Sequence, residues 1–231
     1  MIFTVFTRLI RERKISRIAS DFSISAECCS LYPSYLTLSM KKASRKDKPL
    51  VLDILSQSFH DNQSVNYIIR QDKNKTERIR QLMSYSFEIC TSFGEVFLSD
   101  DEKACALVVY PEKKRTTLHS TLLDLRLVFR AVGFGNIVKT LKREKLIHSI
   151  QPQERMTYLW FIGVDPLAQQ KGIGSRFLQE VIAHSKADNR NVLLETSMPR
   201  NIPWYEKHGF KQYGELDLGH RLYFFKRDVE R

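Results

Sequence analysis

The chain has 231 residues, 42% of them hydrophobic, 27% charged and 11% aromatic, a globular composition with enough apolar material for a core. Only 9 glycines and 7 prolines exclude collagen-like and low-complexity classes, the aromatic content excludes disorder over the whole length, and no apolar run reaches the roughly 18 residues of a membrane span. The formal charge of +11, from 37 basic and 26 acidic residues, favours polyanions without choosing among nucleic acid, phosphorylated small molecules and lipid headgroups.

Residues 1–39 read differently from the rest. Arg8, Arg11, Arg13, Lys14 and Arg17 sit among scattered Ile, Phe and Ser. That pattern fits a targeting arm, although Glu12, Asp21 and Glu27 count against it. A poorly ordered extension and a translation start at Met40 are the alternatives, and the segment is read as one of these two. The domain proper is placed at 40–231.

The sequence predicts a first strand over Tyr35–Lys42 and then a helix carrying Leu50, Val51, Ile54 and Leu55 at helical spacing. Arg78–Thr91 is a second helix. Glu95–Ser99 and Ala104–Tyr110 are short strands joined by the polar turn Asp100-Asp101-Glu102-Lys103, a hairpin. Residues 115–150 form a helical insert. Leu122, Leu125, Val128, Phe129 and Val132 mark one helix, Ile137, Val138, Leu141 and Leu146 another, and Gly133-Phe134-Gly135 breaks them. From Lys113 to Lys145 there are nine Lys/Arg against two Asp/Glu, Asp124 and Glu144. The expectation is a helical pair packed on the sheet through its apolar stripe, with its charges in water; the other readings are a partner-binding surface and a cover that shapes a pocket for a small or acidic acceptor through Lys139, Lys142 and Arg143.

Met156–Val164 is apolar on both faces and belongs in the middle of a covered sheet. Gly172–Lys186 is an amphipathic helix with Ile173, Phe177, Leu178, Val181 and Ile182 on one side. Asn191–Thr196 is a strand and Pro203–His208 a short helix ended by Gly209. Phe210–Leu216 and Arg221–Lys226 are two closing antiparallel strands.

Cys28, Cys29, Cys90 and Cys105 include no C-x-x-C pair and no zinc-spaced Cys/His cluster. They read as reduced thiols of a cytoplasmic protein with no metal. Asn62-Gln63-Ser64 and Asn74-Lys75-Thr76 match the glycosylation pattern, with nothing else pointing to secretion.

The chemistry-bearing stretch is Gln169-Gln170-Lys171-Gly172-Ile173-Gly174-Ser175, which follows a buried strand and opens a helix. A helix start offers unpaired N–H groups and a positive dipole end. Glycines there let a pyrophosphate approach the backbone. A plain strand-to-helix turn would use the same letters. No P-loop is present, and Phe177 stands where a dinucleotide fingerprint needs a small residue. Downstream lie Leu194-Glu195-Thr196, Asn201 and Tyr205-Glu206-Lys207-His208-Gly209-Phe210.

Together these segments resemble the GNAT superfamily of acyl-CoA-dependent N-acetyltransferases. The family's Q/R-x-x-G-x-G/A loop is matched by Gln169 through Gly174, and its later Tyr helix with Gly-Phe by Tyr205 through Phe210. The strong part of the resemblance covers 156–226, and a weaker part reaches back to about residue 40. It implies an α/β (α+β) fold with a mixed, mostly antiparallel sheet flanked by helices. Acetyl-CoA, as co-substrate, would enter between two splayed middle strands, Met156–Val164 and Asn191–Thr196.

Backbone groups of Ile162, Gly163 and Val164 would hold the pantetheine arm. Those of Gln170, Lys171, Gly172, Ile173, Gly174 and Ser175 would cradle the pyrophosphate, with Lys171 or Arg176 adding charge or pointing to solvent. Asn201 would contact CoA, though it stands only four positions before Tyr205, closer than in many members. Tyr205 resembles the family's general acid; packing against CoA is its other reading. No Asp or Glu lies within Met156–Val164, so Glu195 is the substitute general base, or else a group exposed or bonded to backbone. Asp165 before Pro166 shapes a turn. His60, Asp61 and Asn62 fall where the family lines its acceptor site, or simply in a loop. The implied activity is acetyl transfer to a primary amine, with a small-molecule acceptor and a homodimer left open. The rivals are a non-catalytic CoA-binding protein and, ranked last for want of any motif, a nucleic-acid binder.

Overall fold

The computed structural model describes residues 40–229. The readings made for residues 1–39, including Cys28, Cys29 and the first part of the Tyr35–Lys42 strand, lie outside the described residues. The strand β1 is described over Met40–Lys42.

Seven strands form one sheet: β1, β2 (Gly94–Ser99), β3 (Ala104–Val109), β4 (Met156–Val164), β5 (Asn191–Thr196), β6 (Lys211–Asp217) and β7 (Arg221–Arg227). Their order across the sheet is β1-β2-β3-β4-β5-β7-β6. Every neighbouring pair is antiparallel except β4 and β5. That parallel pair is short, running only from Met156 opposite Asn191 to Tyr158 opposite Leu193. Beyond Tyr158 the two strands part. The fold is therefore the mixed, mostly antiparallel sheet expected from the sequence, splayed at its middle.

Strand alternation divides the core into two layers. On one face, Leu98, Cys105, Leu107 and Val109 meet the helices α1 (Lys48–Ser58) and α3 (Lys75–Phe93) through Val51, Leu55, Met83 and Phe87. On the other, Phe97, Ala104, Ala106 and Val108 meet α6 (Ile173–Ala187) through Phe177, Leu178 and Val181. Cys90 and Cys105 are buried free thiols, and burial pushes both up from the ordinary thiol value. In β4, Leu159 faces Val108 and Phe161 faces Leu107, so Trp160 is the extra residue of a β-bulge. The bulge lies where β4 leaves β5.

Two elements differ from expectation. A short helix α2 (Gln63–Ile68) follows α1, capped by Asn62, whose Oδ1 accepts from the Val65 N–H at 3.1 Å. The insert also packs differently. Its first helix, α4 (Leu118–Leu127), continues as a π-type turn over Val128–Val132. It lies against α3, not on the sheet. Its buried stripe is Ser120, Asp124, Leu127, Val128 and Ala131, with Asp124 accepting a 2.7 Å hydrogen bond from the Tyr85 hydroxyl. The opposite stripe, Leu118, Leu122, Leu125 and Phe129, faces solvent. The polar Ser120 and Asp124 take positions that hydrophobic spacing assigned to leucines, which rotates the helix. The second insert helix, α5 (Ile137–Ile150), rests Ile147 on Leu222 and Phe224 of β7. It turns Thr140 and Arg143 inward, so not all of the insert's charges are in water.

Candidate functional site

The site grows from the parting of β4 and β5. After β4, the Asp165 carboxylate accepts from the Leu167 N–H at 3.0 Å and caps a single 3₁₀ turn, Pro166–Ala168. The chain then enters the predicted phosphate loop. Gln170 and Gly172 both take positive φ, 63° and 77°; Gly172 is the N-cap of α6, and nothing lies within 4 Å of where its Cβ would be. That left-handed cap is the reason for glycine here. At Gly174 a Cβ would sit 3.2 Å from Val164 Cγ2, so the second glycine lets the first turn of α6 approach the end of β4. Gln169 donates to the Val164 carbonyl at 3.1 Å, and Lys171 lies along the surface with Nζ 3.3 Å from the Leu167 carbonyl. Arg176 is half exposed, near Asp101 and Glu180.

A cleft of about 640 Å³ opens beside this loop, lined by Gln169, Gln170, Gly174, Val164, Ile162 and Tyr205 among others. Gly163 turns the other way: a Cβ there would meet Leu55 Cδ2 at 2.9 Å, so α1 packing requires the glycine. The Val164 carbonyl is already taken twice, by Gln169 and by the Ser58 hydroxyl at 2.8 Å. Asp165 donates its N–H to Lys103 of the β3 side at 2.8 Å. Alternation then directs the main chain of Ile162 toward the open edge.

The far wall of the cleft is α7 (Ile202–Lys207). Its Trp204 donates from Nε1 to the Ser175 hydroxyl at 2.8 Å, tying α7 to α6. Tyr205 is 6% exposed and packed against Phe210 and Phe225. Burial pushes its phenol well above the ordinary value. Its hydroxyl makes no hydrogen bond among the described residues. Asn201, at the N-cap of α7, makes no capping bond with its side chain and lines the cleft.

A smaller chamber, about 100 Å³, adjoins the cleft and shares Phe59, Asn62, Ile162, Asn201 and Tyr205 with it. Glu195 of β5 stands in this chamber, accepting from Gln151 Nε2 and from the Tyr158 hydroxyl, each at 2.9 Å. Burial first, and then Glu195, push the Tyr158 phenol up. Arg143, Ser64 and Ser197 also line it. Of the three residues expected near an acceptor, Asn62 lines both spaces and Asp61 the cleft. His60 pairs with Asp61 at 2.9 Å on the outside.

Tyr205, Asn201, Ile162 and Val164 thus meet the glycine loop before α6 in one cleft, and Glu195 stands one chamber away. Sequence reasoning missed Tyr158, Trp204 and Ser197. Arg143 was grouped with Lys139 and Lys142 as a charge near a possible acceptor pocket, and only its burial on α5 separates it from them. Among the described residues no group of three or more His, Cys, Asp or Glu is arranged to hold a metal ion, and no helix is long and apolar enough to cross a membrane.

Residues 124–212 match the family model described as the acetyltransferase (GNAT) domain. Among solved structures, the fold is similar to the histone acetyltransferase HPA2 and related acetyltransferase from Corynebacterium glutamicum, with a TM-score of 0.63 at 20% identity, covering 84% of this chain and 97% of that one. It is also similar to the C-terminal condensation domain of Ebony in complex with beta-alanyl-dopamine, with a TM-score of 0.60 at 9% identity over 82% of this chain and 98% of that one. A third is arylalkylamine N-acetyltransferase 2 from Aedes aegypti, with a TM-score of 0.55 at 14% identity over 83% and 98%. The family model is thus matched over 89 of the 231 residues, and the fold that carries them is the one these acetyltransferase structures share.

Proposed function

We propose that this protein transfers an acetyl group from acetyl-CoA to a primary amine on a small molecule. The observation that carries the reading is the continuity of the opened β4–β5 gap, which runs from the glycine loop at the α6 N-terminus to the buried Tyr205 hydroxyl and on to Glu195. Free N–H groups from Gln170 to Ser175 and the positive end of a 15-residue helix suit a pyrophosphate. The open edge of β4 at Ile162 offers main-chain partners to an extended pantetheine arm.

In this reading Tyr205 and Ile162 flank the thioester, and the amine waits in the chamber. Holding the two in line supplies much of the rate. The amine nitrogen attacks the thioester carbonyl carbon, so a C–N bond forms as the C–S bond breaks. Glu195, directly or through a water, takes the proton the nitrogen loses. An N–H of the open β4 edge stabilises the oxyanion. Tyr205 gives its phenol proton to the departing thiolate. Burial raises the phenol, but a thiolate formed in the same dry cleft is made more basic by the same desolvation. A cytoplasmic location goes with this reading, since Cys90 and Cys105 are free thiols.

The test is CoA-thiol release from acetyl-CoA on a panel of primary amines, with product mass confirming N-acetylation. Amine-dependent release is expected. Acetyl-CoA binding with no amine-dependent release across the panel would favour the binding-only alternative.

A further inference from the structure

We propose that the amine acceptor carries a carboxylate and that Arg143 holds it, so that the substrates are free amino acids or amino-acid-like acids. This inference rests on the acetyl-transfer reading above and adds the acceptor class to it.

Arg143 projects from α5 into the protein with Thr140 and Ile147, and is only 8% exposed. A buried guanidinium needs anionic partners, because removing it from water is costly. Its Nη1 donates to Glu144 Oε1 at 2.8 Å. Its Nε is buried with no partner among the described residues. The bond from Nη1 fixes the group and leaves the Nε–Nη2 edge, a pair of parallel donors that matches the two oxygens of a carboxylate.

Glu195 lines the same chamber, yet no ion pair joins it to Arg143, because its oxygens take hydrogen bonds from Gln151 and Tyr158. Arg143 and Glu195 therefore line one space of about 100 Å³ without pairing with each other, Arg143 being paired with Glu144 and Glu195 bonded to Gln151 and Tyr158. That is the complement of a small zwitterion, with its carboxylate on Arg143 and its amine toward Glu195 and the cleft. Lys139 Nζ lies 3.6 Å over the Tyr67 ring. Next to it, His220, 3.2 Å from the Ser64 hydroxyl, is held below the ordinary imidazole value by burial and then by Arg143 and Lys139. A phosphate fits less well: it is bulkier and would bring a second negative charge against Glu195.

The experiment uses the full chain and the common α- and β-amino acids, each compared with its own carboxamide. Two readouts are taken: CoA-thiol release from acetyl-CoA, and calorimetric binding to the CoA-loaded protein. At least one free acid is expected to exceed its amide by on the order of 10- to 100-fold in kcat/KM, the range of a charge-assisted hydrogen-bond pair. Arg143→Gln should raise KM for the acid by a similar factor and so shrink the acid-over-amide ratio toward one, and Arg143→Lys should restore part of the preference. If a variant fails to fold, the acid-over-amide ratio of the natural protein still decides.

Transfer to plain amines or amides in preference to acids would overturn the inference and leave the acetyltransferase reading standing. Arg143-dependent binding of acids without turnover would do the reverse. The absence of both turnover and acid binding would overturn the inference.

Discussion

Replacing Tyr205 by phenylalanine is expected to lower kcat by about 10²–10³, the range for losing a general acid, while acetyl-CoA binding is retained. The ring is held by Phe210 and Phe225, which the substitution leaves in place. The hydroxyl makes no hydrogen bond among the described residues, so its removal orphans no protein group and stability should change little. The pH dependence follows from the direction of the shift. A general acid works while protonated, and burial raises this phenol above its ordinary value. Tyr205 therefore stays competent through the alkaline range, and any fall in kcat caused by its ionisation comes above the usual phenol range near pH ~10. Steady-state kinetics of Tyr205→Phe across pH, with acetyl-CoA affinity measured separately, checks both points. An undiminished kcat would reduce Tyr205 to a packing residue.

Gly94→Ala is expected to be the most damaging single-methyl change to the fold. The helix α3 runs to Phe93 and the strand β2 begins at the next residue, with no loop between them. A Cβ at Gly94 would stand 2.0 Å from the Val108 carbonyl oxygen and 2.8 Å from Val109 Cα. Both are backbone atoms of β3, the neighbouring strand, which has no freedom to move away. The φ of −167° is ordinary extended backbone, so the cost is steric. Overpacking of this kind costs about 3 kcal/mol or more. At about 2–4 °C per kcal/mol for a chain of this size, the melting midpoint should fall by roughly 6–12 °C. Gly135→Ala is the matched control, since nothing lies within 4 Å of its Cβ position. Equal midpoints for the two variants would contradict the direct helix-to-strand packing.

Much of the proposed cofactor cleft was legible as local structure, because local signals and tertiary demand agree there. Met156–Val164 is unbroken apolar sequence, and the structure places it at the centre of the sheet. Gln169–Ser175 puts glycine where the helix start needs a left-handed cap and a close approach. Tyr205 follows from the short helix before Gly209-Phe210.

The chamber proposed for the acceptor was poorly legible because its residues are selected by neighbours distant in sequence. In α5 the buried stripe is Thr140, Arg143 and Ile147, and hydrophobic spacing alone does not turn an arginine inward among nine cations. In α4 the same happens with Asp124, which takes a hydrogen bond from Tyr85 of α3, and with Ser120, which is held in the capping box with Thr117. The pairing of Glu195 with Tyr158 depends on the register of β4 against β5, set by only a few parallel partners. The helix α2 was hidden by its brevity, although Asn62 is a proper N-cap residue.

The central claim, that the opened β4–β5 gap is an acetyl-CoA cleft, is tested most directly by thermal unfolding of the full chain with and without acetyl-CoA. At 100 times Kd, ligand linkage adds about 2.7 kcal/mol, which for a chain of this size is roughly 5–11 °C in the midpoint. A rise of that order is the predicted result. An unchanged midpoint at saturating acetyl-CoA, in a sample that melts cooperatively, would contradict the cleft and with it both the enzymatic and the binding-only readings.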